Sequence, residues 1–94
     1  MTINPASELR KVVIRNRLGL HARPAAELVK LAATFGAEVW VTKGDLRVNA
    51  KSIMGVLMLA AEQGVELTIE ADGADAREAA DALESLVARG FGER

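Results

Sequence analysis

The sequence predicts an α+β open sandwich of order βαββαβα, a four-stranded antiparallel sheet covered on one face by three helices. Three observations predict it. Four short runs alternate apolar with polar residues, the period of a half-buried strand. Three runs space apolar residues three and four apart, and glycines stand where each helix must stop. With 94 residues, 50% hydrophobic and 27% charged, the chain can fill one thin two-layer core. It has no material for a second core or a deep substrate cavity, so function is expected on the surface.

Residues 1–9 hold a proline and no period and read as a loose tail, which leaves one domain over 10–94. RKVVIRN at 10–16 is short and β-branched, with Val12 and Ile14 on one face and Val13 on the other: a first strand. Arg17-Leu18-Gly19-Leu20 breaks that alternation. From 22 to 35, Ala25, Leu28, Leu31, Ala32 and Phe35 recur at helical spacing until Gly36 ends the run. AEVWVT at 37–42 and LRVNA at 46–50 alternate as strands, Val39 and Val41 in the first, Leu46, Val48 and Ala50 in the second. Lys43-Gly44-Asp45 joins them as a hairpin. Ser52 followed by IMGVLMLAAEQ reads as an N-capped helix closed by Gly64. ELTIEA at 66–71 is a fourth strand with Leu67, Ile69 and Ala71 inward. Ala76, Ala79, Ala80, Leu83, Leu86 and Val87 then mark a third amphipathic helix that Gly90 stops.

Composition excludes several classes of function. The absence of cysteine removes disulfide scaffolds, zinc ribbons, iron–sulfur sites and thiol catalysis. The N-terminal stretch has no apolar signal region, and no run approaches the ~20 apolar residues of a membrane span, so a cytoplasmic protein without membrane insertion is expected. A net charge of −1 invites no nucleic acid. The charge is unevenly spread: residues 1–52 carry nine Lys/Arg against four Asp/Glu, a balance of +5, and 53–94 carry three against nine, a balance of −6. Such asymmetry fits a local basic face meeting an anion or an acidic partner, or a solvated pattern with no role.

His21, the single histidine, stands where the Gly19 turn meets the first helix, followed by Ala22-Arg23-Pro24. A helix start presents unpaired N–H groups and a positive dipole end, which favour an anion. Pro24 suits the first turn, where its missing N–H costs little. The dipole disfavours a second proton on the imidazole and leaves a nucleophilic ring nitrogen near neutral pH. Arg23 can clamp a phosphate. Together these residues describe a site for a phosphoryl group bonded to histidine, although a lone histidine at a helix start is more often a mere cap. One histidine without cysteine or carboxylates at ligand spacing builds no closed metal site. No GxSxG elbow accompanies it for hydrolase chemistry.

Leu18-Gly19-Leu20-His21-Ala22-Arg23-Pro24-Ala25 resembles the active-site signature of the HPr phosphocarrier family. Asn49-Ala50-Lys51-Ser52-Ile53-Met54-Gly55-Val56 is similar to the family's regulatory serine segment. The resemblance runs from Arg10 to Val87 and implies an open-faced β-sandwich of the element order already read. It implies a histidine phosphocarrier of the phosphoenolpyruvate-dependent phosphotransferase system, accepting phosphate from enzyme I and passing it to EIIA-type acceptors for sugar uptake. His21 would carry the group on Nδ1, with Arg23 balancing its charge and the first N–H groups of the helix receiving its oxygens. No cofactor is implied in the carrier itself, which is not a turnover enzyme, and a monomer is expected.

For Ser52 the resemblance implies phosphorylation by a dedicated serine kinase, though a helix N-cap by itself accounts for a serine there. Leu20, Ile53, Met54 and Leu57 match an apolar partner surface, and Lys30 and Lys51 match basic rim positions; core packing and a solvated helix face are the plainer readings of these residues. Leu18 and Arg89-Gly90-Phe91-Gly92-Glu93 are closer to the nitrogen-regulatory paralogue, whereas Ser52 to Val56 is closer to the kinase-regulated sugar carriers. Both branches stay open, as does a non-transferring regulatory protein-binding module. An RNA-binding module of similar layout would stack bases on strand aromatics, yet aromatics are 3% of the chain, with Trp40 alone on a strand. A small phosphatase would need a pocket of convergent polar groups.

Overall fold

The computed structural model describes residues 6–93. Its elements are β1 (Ser7–Val13), α1 (Ala22–Ala33), β2 (Glu38–Lys43), β3 (Leu46–Asn49), α2 (Ile53–Met58), β4 (Glu66–Asp72) and α3 (Ala76–Ala88), followed by a 3₁₀ turn at Gly90–Gly92. The strands form one antiparallel sheet in the order β1-β4-β2-β3. This is the βαββαβα open sandwich the sequence predicts.

Alternation decides which strand face is covered. Val12 and Ile14 in and just after β1, Val39 and Val41 in β2, Val48 in β3, and Leu67, Ile69 and Ala71 in β4 are all buried. From the helices, Ala25, Leu28 and Ala32 of α1 and Ala79, Ala80, Leu83 and Val87 of α3 close over them. α3 packs on β1 and β4, and α1 lies against α2 and α3. The opposite sheet face is open and polar. There the Arg47 guanidinium stands 4.1 Å from the centre of the Trp40 ring and pairs with Glu70 at 3.1 Å, so Trp40 is a surface aromatic backed by a cation.

Three sequence expectations shift. The first strand begins at Ser7 instead of Arg10, and its ladder runs from Ser7↔Asp72 to Val13↔Glu66. Part of the expected tail is therefore strand, while residues 1–5 lie outside the described residues. The signal was hidden because this end of the strand holds charge: Arg10 reaches Glu8 at 2.8 Å and Asp81 of α3 at 2.9 Å where an apolar residue would reveal the alternation.

The second helix covers only 53–58 of the expected 53–63. Ala60 turns to a left-handed φ of 46°, and Ala61 is drawn into the core at 4% exposure, where its carbonyl accepts the Leu20 N–H at 2.8 Å. Lys43 Nζ donates to the carbonyl of Leu59 at 3.0 Å, satisfying an end that helix continuation would otherwise have used. Leu46, finally, is 39% exposed although it shares the parity of buried Val48. It sits at the hairpin tip beside Gly44, beyond the cover of the helices.

Candidate functional site

His21 is the N-cap of α1, with extended backbone (φ −73°, ψ −177°) and no capping bond from its side chain. Helix geometry leaves the N–H groups of Ala22 and Arg23 without intrahelical partners. Pro24 has no N–H, and the ladder begins with Ala25 donating to the His21 carbonyl at 3.0 Å. The start of α1 is thus open, with two free donors beside a histidine side chain that is 36% exposed.

The loop before it is firmly tied. Gly19 donates to the Asn16 carbonyl at 3.1 Å, Asn16 Nδ2 donates to the Gly19 carbonyl at 2.7 Å, and Leu20 is held by Ala61. Gly19 needs its identity twice over: its φ is +67°, and a Cβ there would run into the Ala61 carbonyl oxygen. Fixing 16–20 fixes the histidine.

A residue from the far end of the chain completes the site. Both Glu93 oxygens approach His21 Nε2, at 3.0 and 2.9 Å, and Asn16 Nδ2 donates to Glu93 Oε1 at 2.9 Å. The hydrogen bond from His21, opposed by partial burial and helped by Asn16, holds the Glu93 carboxyl below its ordinary range. An ionised carboxylate only accepts, so Nε2 is the ring nitrogen that carries a proton toward it. Among the described residues Nδ1 takes no hydrogen bond. Glu93 also adds a negative charge beside the ring, opposite in sign to the helix end that the sequence analysis considered.

Arg23 is 71% exposed and rests loosely on Glu27 at 3.7 Å, one turn on, so it is free to swing toward an anion at the helix start. Ser52 caps α2 by accepting the Gly55 N–H at 3.1 Å. Ile53, Met54 and Leu57 lie exposed on α2, at 39%, 68% and 38%. Lys51 donates to the Phe35 carbonyl at 2.8 Å and closes the end of the α1 segment, while Lys30 is exposed in the last turn of α1.

Leu20 departs from expectation. It is 4% exposed and belongs to the core, because its N–H bond to Ala61 turns its side chain under the loop. Its side chain therefore does not form part of the exposed apolar surface, to which Leu18, 68% exposed, and Met58, 65% exposed, belong instead. Asn16 and Glu93 were missed as site residues. Asn16 had a signal, since it continues the Val12, Ile14 parity into the covered face and is 2% exposed. Glu93 had none in the spacing, because its contact with His21 spans 72 residues.

The arrangement brings one imidazole, the two backbone donors at the start of α1 and an exposed guanidinium together. A family model described as the phosphorylation site of the phosphotransferase system's HPr component matches residues 9–89. The phosphocarrier protein HPr of Neisseria meningitidis is 51% identical over 84 residues, 89% of this chain and 94% of its own length. The phosphocarrier protein NPr of Proteus mirabilis is 43% identical over 88 residues, 93% of this chain and 98% of its own. The crystal structure of HPr-C-His from Thermoanaerobacter tengcongensis matches with a TM-score of 0.89 at 44% identity, covering 93% of this chain and 98% of that one. A likeness that runs nearly the whole chain, and holds in sequence and in three dimensions, leaves one conclusion: the chain belongs to the HPr family of phosphocarrier proteins of the phosphotransferase system.

Proposed function

We propose that His21 Nδ1 accepts a phosphoryl group from enzyme I and passes it to an EIIA-type acceptor, with Arg23 balancing the charge. The observation that carries the reading is the state of the ring: Nε2 is taken by Glu93, Nδ1 has no hydrogen-bond partner among the described residues, and the half-exposed side chain stands at the N-cap of α1. A half-exposed imidazole suits a group that must pass between proteins in line, since either partner can then reach phosphorus from the opposite side. Nothing in this step needs a cofactor in the carrier, which acts as a monomer. Exposed Ile53, Met54, Leu57 and Leu18 supply adaptable apolar contacts for more than one partner, and Lys30 a basic rim. The side chain of Ser52 lies at the edge of this surface, where a phosphate added by a serine kinase would act on docking.

Intact-mass analysis after mixing the protein with enzyme I, Mg²⁺ and phosphoenolpyruvate tests the assignment. One acid-labile phosphate is expected on the unaltered chain and none on His21→Ala, whose melting curve should match. Phosphate retained by His21→Ala would refute the site. The same reaction followed by addition of a sugar-branch or a nitrogen-branch acceptor separates the two branches.

A further inference from the structure

We infer that Glu93 is a positioning residue for phosphoryl transfer, holding the proton on His21 Nε2 before, during and after the group sits on Nδ1. The inference rests on the reading of His21 as the phosphoacceptor and deepens it. Its first support is the carboxylate itself, which faces Nε2 with both oxygens and is only 12% exposed on its side chain.

The second support is the device that puts it there. After α3 ends at Ala88, three successive residues adopt left-handed φ: Gly90 at 62°, Phe91 at 57° and Gly92 at 72°. Glycine takes this conformation freely, but for phenylalanine it costs about 1 kcal/mol. Phe91 tolerates it because its side chain is anchored in the core at 3% exposure. Gly90 packs over Asn16, and the Glu93 N–H closes the turn on the Gly90 carbonyl at 2.9 Å. A strained, anchored reversal of this kind persists only where the surrounding packing holds it, and here it delivers Glu93 to the ring.

Asn16 gives the third. Its Nδ2 serves two acceptors, the Gly19 carbonyl and Glu93 Oε1, while its buried Oδ1 has no partner among the described residues. Reversing the amide would set Oδ1 against two other oxygens, so the orphaned oxygen is the consequence of using this side chain to hold loop and carboxylate together.

The chemical role follows from the balance of the step. The Nδ1 lone pair forms the new bond to phosphorus as the bond to the donor nitrogen, a phosphohistidine by class, breaks and leaves its electron pair on that donor. The Nε2 proton is neither gained nor lost, so the ring becomes cationic and faces the Glu93 charge. In the onward step the electron pair returns to Nδ1 and the leaving group is a neutral imidazole, because Nε2 has kept its proton.

The test compares Glu93→Gln, which removes the charge but keeps an accepting oxygen, with Glu93→Ala, which removes both. Three readouts apply: the initial rate of phosphoryl uptake from enzyme I, the hydrogen-bonded Nε2–H signal of His21 by proton NMR, and the melting curve. Uptake is expected to slow about threefold in Glu93→Gln and about tenfold in Glu93→Ala, with that signal lost in the latter and the fold intact in both. Equal rates and an unchanged ring signal would overturn the positioning role and leave His21 as acceptor untouched. Slower uptake tracking a matching loss of fold in both variants would overturn it in favour of a structural role. No phosphate on the unaltered chain would overturn the phosphocarrier reading, and this inference with it.

Discussion

Two helices of this protein begin at opposite extremes. α2 starts closed: Ser52 folds its hydroxyl back onto the Gly55 N–H, three residues on, and satisfies a donor that would otherwise be orphaned. α1 starts open, and the residue three past its cap explains why. Pro24 has no N–H, so the bond that Ser52 makes is unavailable at His21 whatever side chain stands there. The histidine is turned onto Glu93, and the N–H groups of Ala22 and Arg23 stay without intrahelical partners. The same structural feature thus closes one helix start and leaves the other open, and the proline at the third position removes the donor that Ser52 uses. A third helix start uses its cap differently again. Asp75 makes no capping bond to α3, and its carboxylate instead accepts the N–H groups of Gly36 and Ala37 at 2.8 Å each, tying the loop after α1 to the base of α3.

Breaking the support of the open start should have the largest effect on stability. Phe91→Ala empties an anchored core position and is expected to cost about 3 kcal/mol, a fall in melting temperature of more than about 10 °C by calorimetry. Below that transition the variant should take up phosphate as slowly as Glu93→Ala, since the reversal that places the carboxylate has lost its anchor. Opening the closed start is milder. Ser52→Ala is expected to lower stability by about 1 kcal/mol, a few degrees of melting temperature, without changing His21 chemistry. Ser52→Asp keeps a capping oxygen and the stability, but should weaken docking with enzyme I, read as a higher half-saturating concentration of carrier.

The smallest effect separates the third start from the other two by pH. The Gly36 N–H first, then the Ala37 N–H, hold the Asp75 carboxyl below its ordinary range. A pKa lower in the folded than in the unfolded chain gives stability that is fully present above the unfolded value and lost as pH falls through the folded one. Acid unfolding below about pH 4 should therefore show a shallower loss of stability in Asp75→Asn than in the unaltered chain, measured as urea midpoints across that range.

Most of the fold was legible because alternation and helical spacing report burial directly, and the six buried positions of α3 are the six its spacing marks. Legibility failed where another interaction replaced an apolar contact. Arg10 sits on the covered side of β1 and pairs with α3, so the strand lost its visible start. The second helix stopped early because Ala61 was needed against Gly19 and Leu20, a contact that no local propensity encodes. In the site, His21 and Ser52 stood out because each lies at a junction of turn and helix. Leu20 misled because in an irregular loop there is no period to say which way a side chain points.

By itself the sequence determined the order of elements, the face each strand buries, the two helix starts and the histidine at one of them. These are properties of neighbouring residues, set by the pleat, the helical repeat and the chemistry of caps. Only the tertiary structure decided which ring nitrogen of that histidine is engaged. The answer depends on Asn16 in the loop after β1 and Glu93 beyond α3 meeting across 77 positions, and only the packing of β1, α3 and the reversal after α3 brings residues so distant in sequence to hydrogen-bonding distance.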